Sequence, residues 1–210
     1  MSGTEEIEVV ARRFQQDTAN HGMKVALDQD LYRHLRFRAP GRSFYWFDVV
    51  TWPGNLVITG DMGTYTFART ADMFEFFGTG PVNPGYWSEK LLSHSRAEIT
   101  TFSPAALAEV VTAHFEDWRA EVPETEAGRL LKALRNALLR PDFTDLHCAH
   151  EALATFRWTS HMGEVYSFSD SWEFDLTEYT VHFLWCLNAI TYSIRHYRSH
   201  ELRVLAGGAA

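Results

Sequence analysis

Residues 44–69 have the sequence FYWFDVVTWPGNLVITGDMGTYTFAR, which decides the fold of the N-terminal half. Aromatic and β-branched residues fill three short runs of this stretch, and these residue types favour β-strands. The runs are separated by two turn signals, Trp52-Pro53-Gly54-Asn55 and Gly60-Asp61-Met62-Gly63. Three strands joined by such short turns predict an antiparallel meander.

The residues just before this stretch extend the β region. From Arg33 onwards polar and apolar residues alternate, which is the period of a strand with one buried face. Leu35 and Phe37 are expected on one face, and Arg36 and Arg38 on the other. This alternation predicts that the two arginines share the solvent side of a strand.

The second half of the chain has apolar residues at helical spacing. Ser103 followed by Pro104 predicts a capped helix start, and Thr144 is predicted to cap a later helix. The last helix is predicted from Asp175 to about His200, with Glu178 completing a capping box. It is apolar on most sides, so we expect it to pack on the sheet.

A strand-rich first half and a helix-rich second half predict an α+β fold, in which an antiparallel sheet packs against C-terminal helices. We predict a single domain over residues 1–205, with a sheet-rich part at 23–102 and a helix-rich part at 103–200. Residues 206–210 are small and are predicted to form a flexible tail.

Composition limits the classes of partner. The chain has 210 residues and a formal net charge of −8, which disfavours a binder of duplex nucleic acid, because that function needs a broad basic surface. The longest apolar run, residues 181–194, is too short to span a bilayer, so we expect no membrane partner. Cys148 and Cys186 are interpreted as buried thiols of a protein in a reducing cytosol.

Several motifs of the chain resemble those of one protein family. They are Tyr45-Trp46-Phe47, Thr51-Trp52-Pro53-Gly54-Asn55-Leu56, residues 60–67 (GDMGTYTF), residues 72–77 (DMFEFF), residues 83–90 (NPGYWSEK) and a second block from Phe168 to Cys186. This pattern resembles an uncharacterised family of bacteriophage- and prophage-encoded proteins. The resemblance implies a viral accessory protein that acts against the host, for example in counter-defence, and therefore lies in the bacterial host cytosol. It supplies no catalytic residues.

The meander is also where the chain is locally basic, with five arginines and two aspartates between residues 33 and 69. Guanidinium groups match phosphates, and aromatic faces stack on bases, so the combination predicts a site for a small anionic nucleotide. Arginines 36, 38 and 42 are expected to contact phosphate. The candidate ligand-binding residues are Arg36, Arg38, Arg42, Trp46, Trp52, Asp61, Tyr65, Arg69 and Trp87.

Other interpretations of these residues remain open. The meander could be an ordinary core whose arginines form surface salt bridges. His147, His150 and Glu151 lie within one helical turn and are weak candidates for metal ligands, although zinc would need a further ligand from elsewhere. No catalytic residue and no cofactor is predicted.

The function predicted from the sequence is therefore sequestration of a small, for example cyclic, nucleotide immune signal without catalysis. One alternative is an acidic protein–protein inhibitor of a host defence nuclease or effector, with the acidic second half as its contact surface. A second alternative is a metal-dependent nucleotide hydrolase. Because binding pockets often form between copies of a chain, a homo-oligomer is included among the expected partners.

Overall fold

The computed structural model describes residues 3–92 and 99–207 of the chain. It confirms the predicted α+β class, since a five-stranded antiparallel sheet is followed mainly by helices. The strands are β1 (Gly22–Gln29), β2 (Tyr32–Arg38), β3 (Phe47–Trp52), β4 (Asn55–Gly60), β5 (Gly63–Ala68), β6 (Thr100–Phe102), β7 (Trp158–Thr159), β8 (Val165–Tyr166) and β9 (Thr177–Tyr179). The helices are α1 (Gly3–Asp17), α2 (Met73–Phe77), α3 (Pro84–Ser88), α4 (Pro104–Arg119), α5 (Glu124–Leu134), α6 (Leu146–Thr155) and α7 (Val181–Leu205). A π-helical turn, Arg135–Leu139, continues α5, and a 3-10 turn lies at Ser171–Glu173.

Strands β1 to β5 follow one another in sequence and in space, and each pairs antiparallel with the next. Both predicted turns join strands of the sheet, and Gly54 and Gly63 have φ of +84° and +110° there. Only glycine adopts such angles without strain. The meander has five strands and not three, because β1 and β2 pair onto the predicted three-stranded unit.

The sheet has a buried inner face and a polar outer face. In β2, Leu35 and Phe37 are buried while Arg36 and Arg38 are exposed, which confirms the predicted alternation. The inner face forms one apolar core with α7, and the fully buried Trp185 of α7 lies edge-on to Phe47 of the sheet. The expectation that the last helix packs on the sheet is therefore confirmed.

The last helix begins at Val181, six residues after the predicted start. Thr180 caps it, because its side-chain oxygen accepts a hydrogen bond from the backbone N–H of Phe183. The predicted capping box of Asp175 and Glu178 is wrong, since the residues just before Thr180 form strand β9 and not a helical turn. The helix has 25 residues, about 37 Å at the standard rise.

The chain forms two compact units. The first contains Met1–Ile99 and Tyr179–Ala210, and therefore the five-stranded sheet and α7. The second is Thr100–Glu178, in which α4, α5 and α6 surround a core centred on Leu130, Leu134 and Leu153. The units divide the chain differently from the predicted sheet-rich and helix-rich parts, because α7 packs on the sheet.

The single domain predicted over residues 1–205 stays a prediction. So does the flexible tail, of which residues 208–210 lie outside the described residues.

Two smaller predictions need correction. Helix α6 is capped by Asp145 and not by Thr144, since an Asp145 side-chain oxygen accepts from the backbone N–H of Cys148 at 2.9 Å. Cys186 is buried as predicted, and burial raises the pKa of its thiol well above the usual range. Cys148 is exposed, because it lies in the first turn of α6 on its solvent side.

In the described ranges, no helix combines the length and the apolar character that crossing a bilayer requires.

We predict that Gly60→Ala destabilises the protein by about 1–3 kcal/mol, the usual cost of forcing extra atoms into a packed site. A Cβ atom at Gly60 would lie 2.2 Å from the carbonyl oxygen of Trp46 and 2.8 Å from Cα of Phe47. Gly22→Ala is the matched control, since a Cβ there meets nothing within 4 Å. Urea unfolding of both variants tests this, and equal stabilities would contradict it.

Candidate functional site

A pocket of about 290 Å³ lies on the outer face of the sheet, between β2 and the connection from β2 to β3. It is partly open to solvent and is near the lower end of the volumes usual for small-molecule sites. The residues that line it are Arg36, Arg38, Arg42, Ser43 and Trp46. Four of the nine candidate residues therefore come together at one place.

The connection between β2 and β3 starts with a tight turn. The backbone N–H of Arg42 donates to the carbonyl oxygen of Ala39 at 3.3 Å, and Gly41 has a φ of +71°. Proline followed by a left-handed glycine is the sequence of a type II turn, and Pro40 and Gly41 occupy those two positions. The turn reverses the chain and brings Arg42 back over the arginines of β2.

The end of the connection is held in an unusual backbone conformation. Tyr45 has a φ of +59°, a left-handed value that non-glycine residues adopt only when their surroundings enforce it. Two contacts do so: Nε2 of His21 donates to the carbonyl oxygen of Tyr45 at 2.9 Å, and the Tyr45 ring stacks on Trp185. The next residue, Trp46, thereby turns away from the core towards the pocket.

The turn between β4 and β5 fixes the backbone of Trp46. The backbone N–H of Asp61 donates to the carbonyl oxygen of Trp46 at 3.2 Å, and this approach requires the absence of a side chain at Gly60. The motif Gly60-Asp61-Met62-Gly63 therefore acts as a support for the pocket wall. Its contribution comes from backbone atoms.

Behind the pocket, an acid in the middle of β3 anchors Arg36. Asp48 lies directly opposite Arg36 in the sheet register, and it accepts hydrogen bonds from Nε and Nη2 of Arg36 at 2.8 and 2.7 Å. Nε2 of His34 donates to the same carboxylate at 2.9 Å. Burial alone would raise the pKa of Asp48, but the hydrogen bonds and charges of Arg36 and His34 hold it below the usual value.

The other two arginines of the pocket have no such partner. Among the residues that the structure describes, neither the Arg38 nor the Arg42 guanidinium contacts a carboxylate. Both residues are exposed, and Arg42 lies over the ring of Phe44, 5.4 Å from its centroid. Their positive charges are therefore uncompensated locally, and they can attract an anion.

The remaining five candidates lie away from the pocket. Trp52 and Arg69 are exposed at the opposite end of the sheet, beside the turn at Gly54. Tyr65 is in the core against Phe183 and Trp87 is in the core against Phe77, with 9% and 3% of their surfaces exposed. The side chain of Asp61 is exposed in the β4–β5 turn. For Tyr65 and Trp87, the interpretation as ordinary core residues matches their burial.

The histidine candidates in α6 have other partners. His150 is buried, and its Nδ1 lies 2.7 Å from the carbonyl oxygen of Ser171. The rings of His147 and His150 both stack on Trp172, while Glu151 is exposed. Within residues 3–92 and 99–207, no three His, Cys, Asp or Glu side chains are grouped so as to hold a metal ion.

A scan against models of known protein families, a search of curated proteins and a search of solved structures each found no match to this chain.

Sequence reasoning missed three residues of the site, Ser43, Asp48 and His34. Asp48 had a signal, since it is a lone acid inside an otherwise aromatic and β-branched strand, and such an acid needs a cationic partner. His34 shares the alternation that placed Arg36 on the outer face. No feature of the sequence indicates Ser43, because its position depends on the path of the irregular connection between β2 and β3.

We predict that Asp48→Asn reduces the loss of unfolding free energy that the wild-type protein shows as the pH falls into the acid range. The Asp48 pKa is depressed in the folded protein, so its ion pair stabilises the fold above the unfolded value near 3.8 and is lost as the pH falls further. The variant lacks this loss. It still has the acid-dependent contribution of Asp72, because burial raises the pKa of Asp72 but hydrogen bonds from Arg33 and Phe74 lower it below the usual value. Urea unfolding between pH 2 and 6 measures both profiles, and identical acid slopes would contradict the assignment.

Proposed function

We propose that this protein binds a small anionic nucleotide in the pocket on the outer face of the sheet. The observation that carries the proposal is the convergence of Arg36, Arg38, Arg42 and Trp46 around one cavity. Two uncompensated guanidinium groups supply attraction for phosphate, and an indole ring supplies a stacking surface for a base. Ser43 adds a hydroxyl group that can donate to a phosphate or ribose oxygen.

The biological role that we propose is sequestration of a nucleotide immune signal by a phage-encoded protein. Its support is the resemblance of the aromatic motifs to phage and prophage proteins, together with a pocket whose lining is suited to holding an anion. Sequestration requires tight binding and unchanged ligand. A protein of this kind acts by lowering the free concentration of the signal.

The proposal is tested with a defined panel: AMP, ADP, GDP, UDP, 3′,5′-cyclic AMP, cyclic di-AMP and cyclic di-GMP. The purified protein is incubated with the panel, washed and heated, and the released material is identified by mass spectrometry. Retention and release of an intact nucleotide supports sequestration. Release of an altered nucleotide would indicate an enzyme, and retention of none would overturn the proposal.

We predict that the double substitution of Arg38→Ala and Arg42→Ala lowers the affinity for the retained nucleotide at least about tenfold, because charge-assisted hydrogen bonds are each worth about 1.5–3 kcal/mol. Arg36 is left intact, since its loss would leave the buried Asp48 with only the hydrogen bond from His34. Arg69→Ala is the control, as it removes an exposed arginine at the other end of the sheet. Calorimetric titration gives the affinities, and equal effects of Arg69→Ala and the double substitution would refute the pocket assignment.

A second candidate function rests on where the acidic charge lies. Residues 100–178 contain 14 Asp or Glu and 6 Lys or Arg, whereas the rest of the chain has 13 of each. The whole net charge of −8 therefore belongs to the second unit. This favours the alternative of an acidic inhibitor that occupies a basic site of a host protein.

The second unit also has a cavity of about 620 Å³ whose lining includes Trp118, Tyr166, Glu121 and Glu164. If a basic partner docks there, Glu121→Gln with Glu164→Gln should weaken binding of a hexa-arginine peptide at least about fivefold. Glu109→Gln, an exposed acid of α4 outside the cavity, is the control. This candidate would be excluded if the double variant and the Glu109→Gln control weakened peptide binding equally. It would also be excluded if the wild-type protein did not bind the peptide at 50 mM salt.

A further inference from the structure

The ion pair between Asp48 and Arg36 makes Arg36 unlike the other two arginines of the pocket. Asp48 is buried and binds Arg36 through two short hydrogen bonds, so the guanidinium is fixed in one plane. The carboxylate also cancels the formal charge of Arg36. Arg36 therefore brings a rigid, flat group to the pocket and little net positive charge.

The flat group lies next to the aromatic wall. Cζ of Arg36 is 5.9 Å from the centroid of the Trp46 ring, within the range of a cation–π contact. Guanidinium planes stack on nucleobases as aromatic rings do. Because Arg36 lies over the Trp46 ring, a planar base can continue this stack on the solvent side of the guanidinium.

We propose that Asp48 is a positioning residue that divides the pocket into two subsites. This inference rests on the proposed function. In the base subsite, Arg36 is held by Asp48 over the Trp46 ring and stacks on the base. In the phosphate subsite, Arg38 and Arg42 bind the phosphate with their uncompensated charges. Arg36 is thereby assigned to the base and not to the phosphate, in contrast to the role predicted from the sequence.

Whether Asp48→Asn raises or lowers the affinity for nucleotide distinguishes a positioning role of Asp48 from a purely electrostatic one. If Asp48 acted only as a nearby negative charge, its removal would strengthen the binding of every anion. If Asp48 positions Arg36 for stacking, its removal frees the guanidinium and weakens nucleotide binding, while pyrophosphate binds as well as before or better. The two roles therefore predict opposite changes for the same variant.

The experiment uses the full chain with two probes, the panel nucleotide that binds most tightly to the wild type and inorganic pyrophosphate. Calorimetry gives the nucleotide affinity, and competition with that nucleotide gives the pyrophosphate affinity. We expect Asp48→Asn to lower nucleotide affinity at least about fivefold, because stacking of one base is worth about 1–3 kcal/mol. We expect its pyrophosphate affinity to stay equal or rise.

Arg36→Lys provides the second variant, in case Asp48→Asn does not fold. Lysine keeps the positive charge for Asp48 but has no planar face, so nucleotide affinity should fall at least about fivefold while pyrophosphate affinity changes less than about twofold. Glu75→Gln removes an exposed acid of α2 and controls for net charge. Thermal unfolding of each variant verifies that it is folded.

Two results would overturn the inference. One is nucleotide binding that Asp48→Asn strengthens or leaves unchanged, and the other is an equal loss of nucleotide and pyrophosphate affinity in Arg36→Lys. A wild-type protein that binds no nucleotide of the panel would instead overturn the proposed function itself. The two failures are thus distinguishable.

Discussion

The burial of one face of the five-stranded sheet against α7 is the constraint on which the rest of the first unit depends. Because side chains alternate along a strand, burying Leu35 and Phe37 forces Arg36 and Arg38 onto the opposite face. The same rule places Asp48, directly across from Arg36, on the outer face of β3. The apolar core thus determines on which face of the sheet the charged groups lie.

The ion pair on the outer face follows from the same constraint. An acid in the middle of a strand is costly to bury unless it is paired, and Arg36 and His34 occupy both of its oxygens. The pair leaves one of the three pocket arginines neutralised and rigid, and two of them charged. Three unpaired guanidinium groups at this distance would repel one another. Pairing Arg36 with Asp48 reduces that repulsion and fixes one guanidinium, while Arg38 and Arg42 stay charged.

Period-two patterning and turn chemistry were sufficient to predict the meander and the shared face of Arg36 and Arg38. The apolar character of the last helix on most sides was sufficient to predict that it packs on the sheet. Composition could not separate the stacking tryptophans from the core ones, since Trp46 and Trp87 both lie in aromatic-rich segments. Trp46 reaches the pocket because Tyr45 adopts a left-handed backbone and Asp61 holds the Trp46 carbonyl. Such tertiary contacts join residues 15 or more positions apart, and no local pattern encodes them. The start of α7 was misplaced for a related reason, because pairing in β9 outweighs the capping signal at Asp175.

The size and charge of the pocket argue for a small ligand over a nucleic acid chain. Affinity for a polyanion grows with the number of phosphates that are contacted along its length, and it requires a track of basic residues. The pocket has two uncompensated cations, Arg38 and Arg42, at one end of the sheet, and the first unit has equal numbers of acidic and basic residues. Arg69, which would extend the track, is at the other end beyond Thr59 and Val57 of β4. The proposed ligand, a nucleotide with one or two phosphates, matches the two uncompensated guanidinium groups of the pocket.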